Sequence, residues 1–168
     1  MGPFRKIARK LKNICHKCEQ KRHNRALVRA TQKDDVMGMI EALRKGADAN
    51  ACVRKGGVNY YPLEEAQSMQ ALLILHMLGN VDLDRMIDGV TALISSMRMM
   101  EHEKTENLLK VGANPNKPDK NGYLPLCYAQ TPLQRDLLKS YGASEEDYRR
   151  FIGEKRYALL KARERARV

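Results

Sequence analysis

Leu108-Leu109-Lys110-Val111-Gly112-Ala113-Asn114-Pro115-Asn116 is the stretch on which the reading of this chain turns. An apolar pair closes a helical segment, a Gly follows, and a short polar segment leads away. Gly at that place supplies the left-handed backbone that ends a helix. The pattern is not solitary. Gly46, Gly79, Gly112 and Gly142 each follow an apolar segment, at spacings of 33, 33 and 30 residues. A second column, Leu27, Leu63, Leu93 and Leu126, is spaced by 36, 30 and 33. Three residues after each of these Leu comes a small residue: Ala30, Ala66, Ser96 and Ala129. Three columns recurring in phase mark a chain built of repeated units.

Each unit reads as helix, turn, helix, loop. A small residue three after a Leu lets a neighbouring helix approach closely. The loop after the Gly is polar, as in Ala47-Asp48-Ala49-Asn50, and turns follow at Asp88-Gly89 and Asn121-Gly122. These residues tolerate positive φ. One such unit cannot bury its apolar face alone, whereas stacked neighbours can.

These residues resemble the ankyrin repeat family. Its pattern is an Asp-Gly turn, Thr-Pro-Leu-His-x-Ala-Ala, a second helix ending Leu-Leu, then Gly-Ala-Asp-x-Asn. This chain has Gly46-Ala47-Asp48-Ala49-Asn50, Gly112-Ala113-Asn114-Pro115-Asn116, Asp88-Gly89-Val90-Thr91-Ala92-Leu93 and Asn121-Gly122-Tyr123-Leu124-Pro125-Leu126. The resemblance covers about residues 24–144. It implies an all-α solenoid of four stacked helix-turn-helix units, with a capping helix at each end. The expected repeats are 24–51, 52–83, 84–117 and 118–144. A basic arm, 1–23, precedes them, and a basic helix and tail, 145–168, follow.

The repeats depart from the pattern. The first has Arg25-Ala26-Leu27 in place of an Asp-Gly turn. The second has Tyr61-Pro62-Leu63, then Glu64 and Glu65 in the His region. The third has Glu101-His102 where Gly-His usually turns between helices. The fourth has Thr131-Pro132 between its helices.

Composition sets the outer bounds. The chain has 168 residues, of which 43% are hydrophobic and 30% charged, as in a soluble globular domain. Its longest apolar run, Ala71 to Leu75, is far too short to span a membrane. Net charge is +11, unevenly placed. Residues 1–30 carry ten Lys/Arg against Glu19, giving +9; residues 148–168 carry eight against Glu154 and Glu164, giving +6. Residues 31–147 carry 13 Lys/Arg against 17 Asp/Glu, giving −4. A nucleic-acid domain would put its positive charge on the folded body. The basic ends, residues 1–22 and 149–167, remain candidates for an anionic membrane surface or nucleic acid.

Phe4, Ile7, Leu11, Cys15 and Cys18 form one helical stripe in the N-terminal arm, among Arg5, Lys6, Arg9, Lys10 and Lys12. The stripe suits a cap on the first repeat, or a basic amphipathic helix lying on a membrane. At the other end, Ser144-Glu145-Glu146-Asp147 reads as a helix start, with Phe151, Ile152 and Leu159 along one side. Arg163, Arg165 and Arg167 in the tail resemble the Arg-rich export signals of some type IV secretion substrates. That resemblance implies a bacterial effector delivered to a host cell. Otherwise four cysteines without an apolar h-region favour a reducing cytoplasm.

Cys15-x-x-Cys18, with His16 and His23, invites zinc. A tetrahedral structural site needs four ligands, and no second Cys or His pair is present, so no metal is expected. Nucleophile elbows, His-Glu-x-x-His and Gly-rich phosphate loops are all missing, so neither catalysis nor a cofactor is expected.

Function is therefore expected on the surface. The family resemblance implies a concave protein-binding face made of turn tips and first-helix residues. By repeat these are Gln32 and Lys33; Val58, Tyr60, Ser68 and Met69; Ile87, Asp88, Val90, Arg98 and Met99; and Lys120, Asn121, Tyr123 and Thr131. Tyr and Arg are enriched in interface hot spots, which singles out Tyr60, Arg98 and Tyr123. The expected partner is a protein rather than a small-molecule substrate.

Overall fold

The computed structural model describes residues 3–165, with side chains described for residues 16–156. The apolar stripe at Phe4, Ile7, Leu11 and Cys15, the side chain of Leu159 and the tail arginines lie outside those side chains. The chain is mostly helical and divides into two compact units, residues 1–82 and 83–168. No helix among the described residues is long and apolar enough to cross a membrane.

The first unit holds α1 (Pro3–Gln32), α2 (Val36–Arg44), β1 (Val53–Lys55), β2 (Val58–Tyr60), α3 (Pro62–Glu65) and α4 (Met69–Met77). The second holds β3 (Met86–Ile87), β4 (Val90–Thr91), α5 (Ala92–Arg98), α6 (His102–Val111), a 3-10 turn (Pro125–Tyr128), α7 (Pro132–Ser140) and α8 (Glu145–Arg165). Two antiparallel hairpins thus amend the all-α expectation. β1 pairs with β2 in the register Arg54 to Asn59, and β3 with β4 in the register Ile87 to Val90. Both are closed by two residues at positive φ: Gly56 (59°) with Gly57 (84°), and Asp88 (53°) with Gly89 (90°). Such turns match the right-handed twist of the strands they join.

The repeated columns place the core. Leu27, Leu63, Leu93 and Leu126 are all at most 2% exposed. Of the small residues that follow them, Ala30, Ala66 and Ser96 are buried and Ala129 is half-buried. The Gly column splits. Gly46, Gly112 and Gly142 have φ of 89°, 107° and 89° and close their helices as expected. Gly79 does not, and Asn80 takes the positive φ (50°) instead. Gly79 is small for another reason: a Cβ there would come 2.7 Å from both the Cβ of Ala49 and the carbonyl oxygen of Leu75.

Helix starts are set by side-chain caps. Asp35, Ser68, Thr91 and Thr131 each accept a hydrogen bond from a backbone N–H in the first turn of α2, α4, α5 and α7. Ser144 does the same for α8, accepting from Asp147 N–H at 3.0 Å, as its sequence suggested. At the N-terminal side, α1 runs without a break through residue 24, where the arm and the first repeat were expected to divide.

In the second unit, polar bonds are built into the core. Ser96 Oγ and Thr105 Oγ1 lie 2.9 Å apart and join α5 to α6. Gln134, completely buried, accepts from Gln130 N–H at 2.8 Å and donates to the carbonyl of Met97 at 3.2 Å. It ties the start of α7 to the end of α5. An apolar residue of similar size removes both bonds and leaves the Gln130 N–H without this acceptor, while the Met97 carbonyl keeps its bond from Met100 N–H. Gln134→Leu is expected to lower unfolding free energy by about 1–3 kcal/mol. Leu138→Ala, at a fully buried position, should cost about 2–5 kcal/mol. Leu133→Ala, on the exposed side of the same helix, should stay within about 0.5 kcal/mol. Denaturant titration of the three variants checks the ordering.

Candidate functional site

The surface residues expected from sequence fall into two sets, one in each unit. In the first, Gln32 ends α1 and donates through Nε2 to Glu65 Oε2 at 2.8 Å. Lys33 follows it and is exposed, on the edge of a cleft between α1 and α2. Val58 stands next to the hairpin turn, 52% exposed. Tyr60 ends β2, half-buried, and lines a second cleft between α1 and the hairpin.

Ser68 and Met69 stand at the start of α4, not on the exposed side of α3. The backbone leaves the helical region at Ala66 (ψ 123°), so α3 ends after four residues. Ser68 then caps α4, accepting from Ala71 N–H at 3.1 Å and donating to Asp34 Oδ1. Met69 is the first residue of α4 and remains exposed.

In the second unit, Ile87 is 5% exposed and turned into the core, so it presents no contact surface. Asp88 is exposed at the hairpin turn, and Val90 beyond it is half-buried. Arg98 and Met99 close α5, both exposed, Met99 to 72%. Thr131 is the cap of α7 and accepts from Gln134 N–H at 3.2 Å. Its position follows from the shortness of the preceding element, a single 3-10 turn.

Lys120, Asn121 and Tyr123 lie in a turn organised by Asp119, a residue the sequence reading passed over. Asp119 is buried. Its Oδ1 accepts from the N–H groups of Asn121 and Tyr123, both at 2.8 Å. Its Oδ2 accepts from the Tyr128 hydroxyl at 2.8 Å and from Asn121 Nδ2 at 3.2 Å. The signal was present as Asp119-Lys120-Asn121-Gly122, an Asp whose side chain bonds the backbone two residues on. Burial alone would raise the Asp119 carboxyl, but the bonds from Tyr123, Tyr128 and Asn121 outweigh it and hold the carboxyl below its usual range. Burial, then the bond to Asp119, pushes the Tyr128 hydroxyl up to about 12.

Two turns are joined here. Lys120 N–H donates to the Gly89 carbonyl at 2.9 Å, and the Lys120 side chain lies over Gly89 so closely that a Cβ there would collide with it. Asp88, Lys120 and Asn121 are therefore presented side by side, all exposed. Tyr123 points elsewhere. Its ring meets Phe151 of α8 edge-on at 5.2 Å and Tyr128 at 6.4 Å, and Lys155 Nζ lies 5.0 Å from its centroid. It secures α8 more than it offers a free aromatic face.

Among the described residues, no group of three or more His, Cys, Asp or Glu is placed to hold a metal ion. Cys18 and Cys52 are exposed free thiols. Burial pushes the Cys127 thiol up, which disfavours the reactive thiolate. No protein-family model matches the chain, and no curated protein matches it.

The lowered Asp119 carboxyl ties stability to pH. A depressed folded-state value means stability that is complete above the ordinary carboxylate range and is lost as pH falls through the folded value. Asp119→Asn should cost about 1–3 kcal/mol at neutral pH. It should also lose stability less steeply than the native chain between about pH 5 and about pH 2. Chemical denaturation across that range checks both; parallel curves would remove Asp119 from the acid limb.

Proposed function

We propose that this chain is a non-catalytic protein-binding module, a series of four ankyrin-like helix-turn-helix units that presents its turn tips to a partner. The phased Leu, small-residue and Gly columns support the repeat series. The observation that carries the function is the joined pair of turns, Asp88-Gly89 and Lys120-Asn121. Their backbone is fixed by the bond from Lys120 N–H to Gly89 and by the buried carboxylate of Asp119. A backbone fixed in this way loses little further conformational freedom on binding. Exposed Met99 adds an adaptable apolar contact in the same unit. Val58, on the other hairpin, supplies one in the first unit.

The test is capture from nuclease-treated lysate with mass-spectrometric identification. The native chain is compared with Asp88→Ala/Lys120→Ala/Asn121→Ala at a temperature where thermal unfolding shows both folded, because Asp88 has positive φ and Asn121 bonds Asp119. The expected result is loss of at least one discrete protein from the variant. Retention of every captured protein would overturn the assignment to these turns.

A further inference from the structure

We propose that the cleft between α1 and the β1–β2 hairpin binds an acidic, extended peptide segment of a partner protein. The cleft has a volume of about 480 Å³ and is lined by Arg25, Val28, Arg29, Gln32, Val53, Arg54, Lys55 and Tyr60. Four cations border it and no carboxylate does. Arg25 and Arg29 are four residues apart on one face of α1, so their positions are about 6 Å apart along the helix. Arg54 and Lys55 of β1 line the cleft on its hairpin side. Among the described residues none of these four is engaged in an ion pair. Glu65, which accepts from the lining residue Gln32, is not itself a lining residue.

The shape of the charge selects the ligand. An adjoining cleft, lined by Lys21, Asn24, Arg25, Cys52, Val53 and Arg54, shares three residues with the first. The cations therefore run as a track, Lys21, Arg25 and Arg29 at successive i, i+4 positions, rather than converging on one point. A single phosphate would occupy only part of it. Val53 and Tyr60, both half-buried, supply apolar surface among the charges, which a small anion would leave wet. A single nucleic-acid strand would want successive aromatic platforms for its bases, and Tyr60 is the one aromatic lining residue. A segment in which carboxylates alternate with apolar side chains satisfies both parts, and Arg guanidinium matches carboxylate in a bidentate fork. This inference rests on the protein-binding reading but not on the turn residues of the second unit.

Fluorescence anisotropy with a labelled peptide in which Glu alternates with Leu tests it, using the full chain. Arg29→Gln/Arg54→Gln should weaken binding about tenfold or more. Arg149→Gln/Arg150→Gln removes the same charge from α8 and should leave binding within about twofold. Equal weakening by both pairs would reduce the effect to net charge and overturn the proposal. So would no binding of the peptide. The proposal also falls if oligo(dT), inorganic phosphate or phosphatidylserine vesicles depend on Arg29 and Arg54 more than the peptide does. If lysate capture depends on Asp88, Lys120 and Asn121 while the peptide does not bind, the cleft falls and the turn reading stands. The reverse pattern keeps the cleft and removes the turns.

Discussion

No helix between α1 and α8 exceeds ten residues, and α3 has four. Helices of that length are marginal in water on their own, because nucleation costs more than a few turns recover. Each must bury a face against a neighbour. That constraint explains the fully buried Leu at each expected repeat and the small residue that follows it. It also explains Gly79, where the chain passes so close to Ala49 that a methyl group has no room. Close approach of short elements is what this fold depends on. The caps and the buried Gln134 bridge then fix where each element starts.

The parts legible in the sequence are those governed by the columns. Leu27, Leu63, Leu93 and Leu126 were read as helix positions in a common register, and all four are buried. Three of four glycines close their helices with a left-handed residue. The hairpin at Val53–Tyr60 is less visible because strands of three residues are too short to show a period of their own. Gly56-Gly57 between Val53-Arg54-Lys55 and Val58-Asn59-Tyr60 was the available turn signal. The continuity of α1 was hidden by the repeat register, which puts a boundary before Asn24, whereas α1 runs on to Gln32.

The candidate surface was legible less evenly. Asp88, Lys120 and Asn121 lie exposed at turns, because Asp-Gly and Asn-Gly fix the backbone locally. Ser68, Met69 and Thr131 fall beyond the first element of their segments, because α3 and the 3-10 turn are too short to carry them. Ser68 and Thr131 became caps for that reason. Ile87 faced inward because alternation along a two-residue strand puts one side chain on each face. Tyr123 was claimed by α8, a contact of 28 residues' separation that no local pattern announces.

Charge placement separates two kinds of cation. Lys45, Lys110 and Lys139 each have a glutamate partner, at i−4 for the first two and at the start of α8 for the third. Such exposed pairs contribute little to stability. Arg25 and Arg29 are instead a like-charge i, i+4 pair, joined across the cleft by Arg54 and Lys55. Their mutual repulsion costs a few tenths of a kcal/mol per pair, small because water and salt screen exposed charge. The fold tolerates that cost on a helix and a hairpin whose backbones are already fixed. An anion entering the cleft would relieve the repulsion without requiring the elements to move, and whatever binds the folded chain alone stabilises it by mass action.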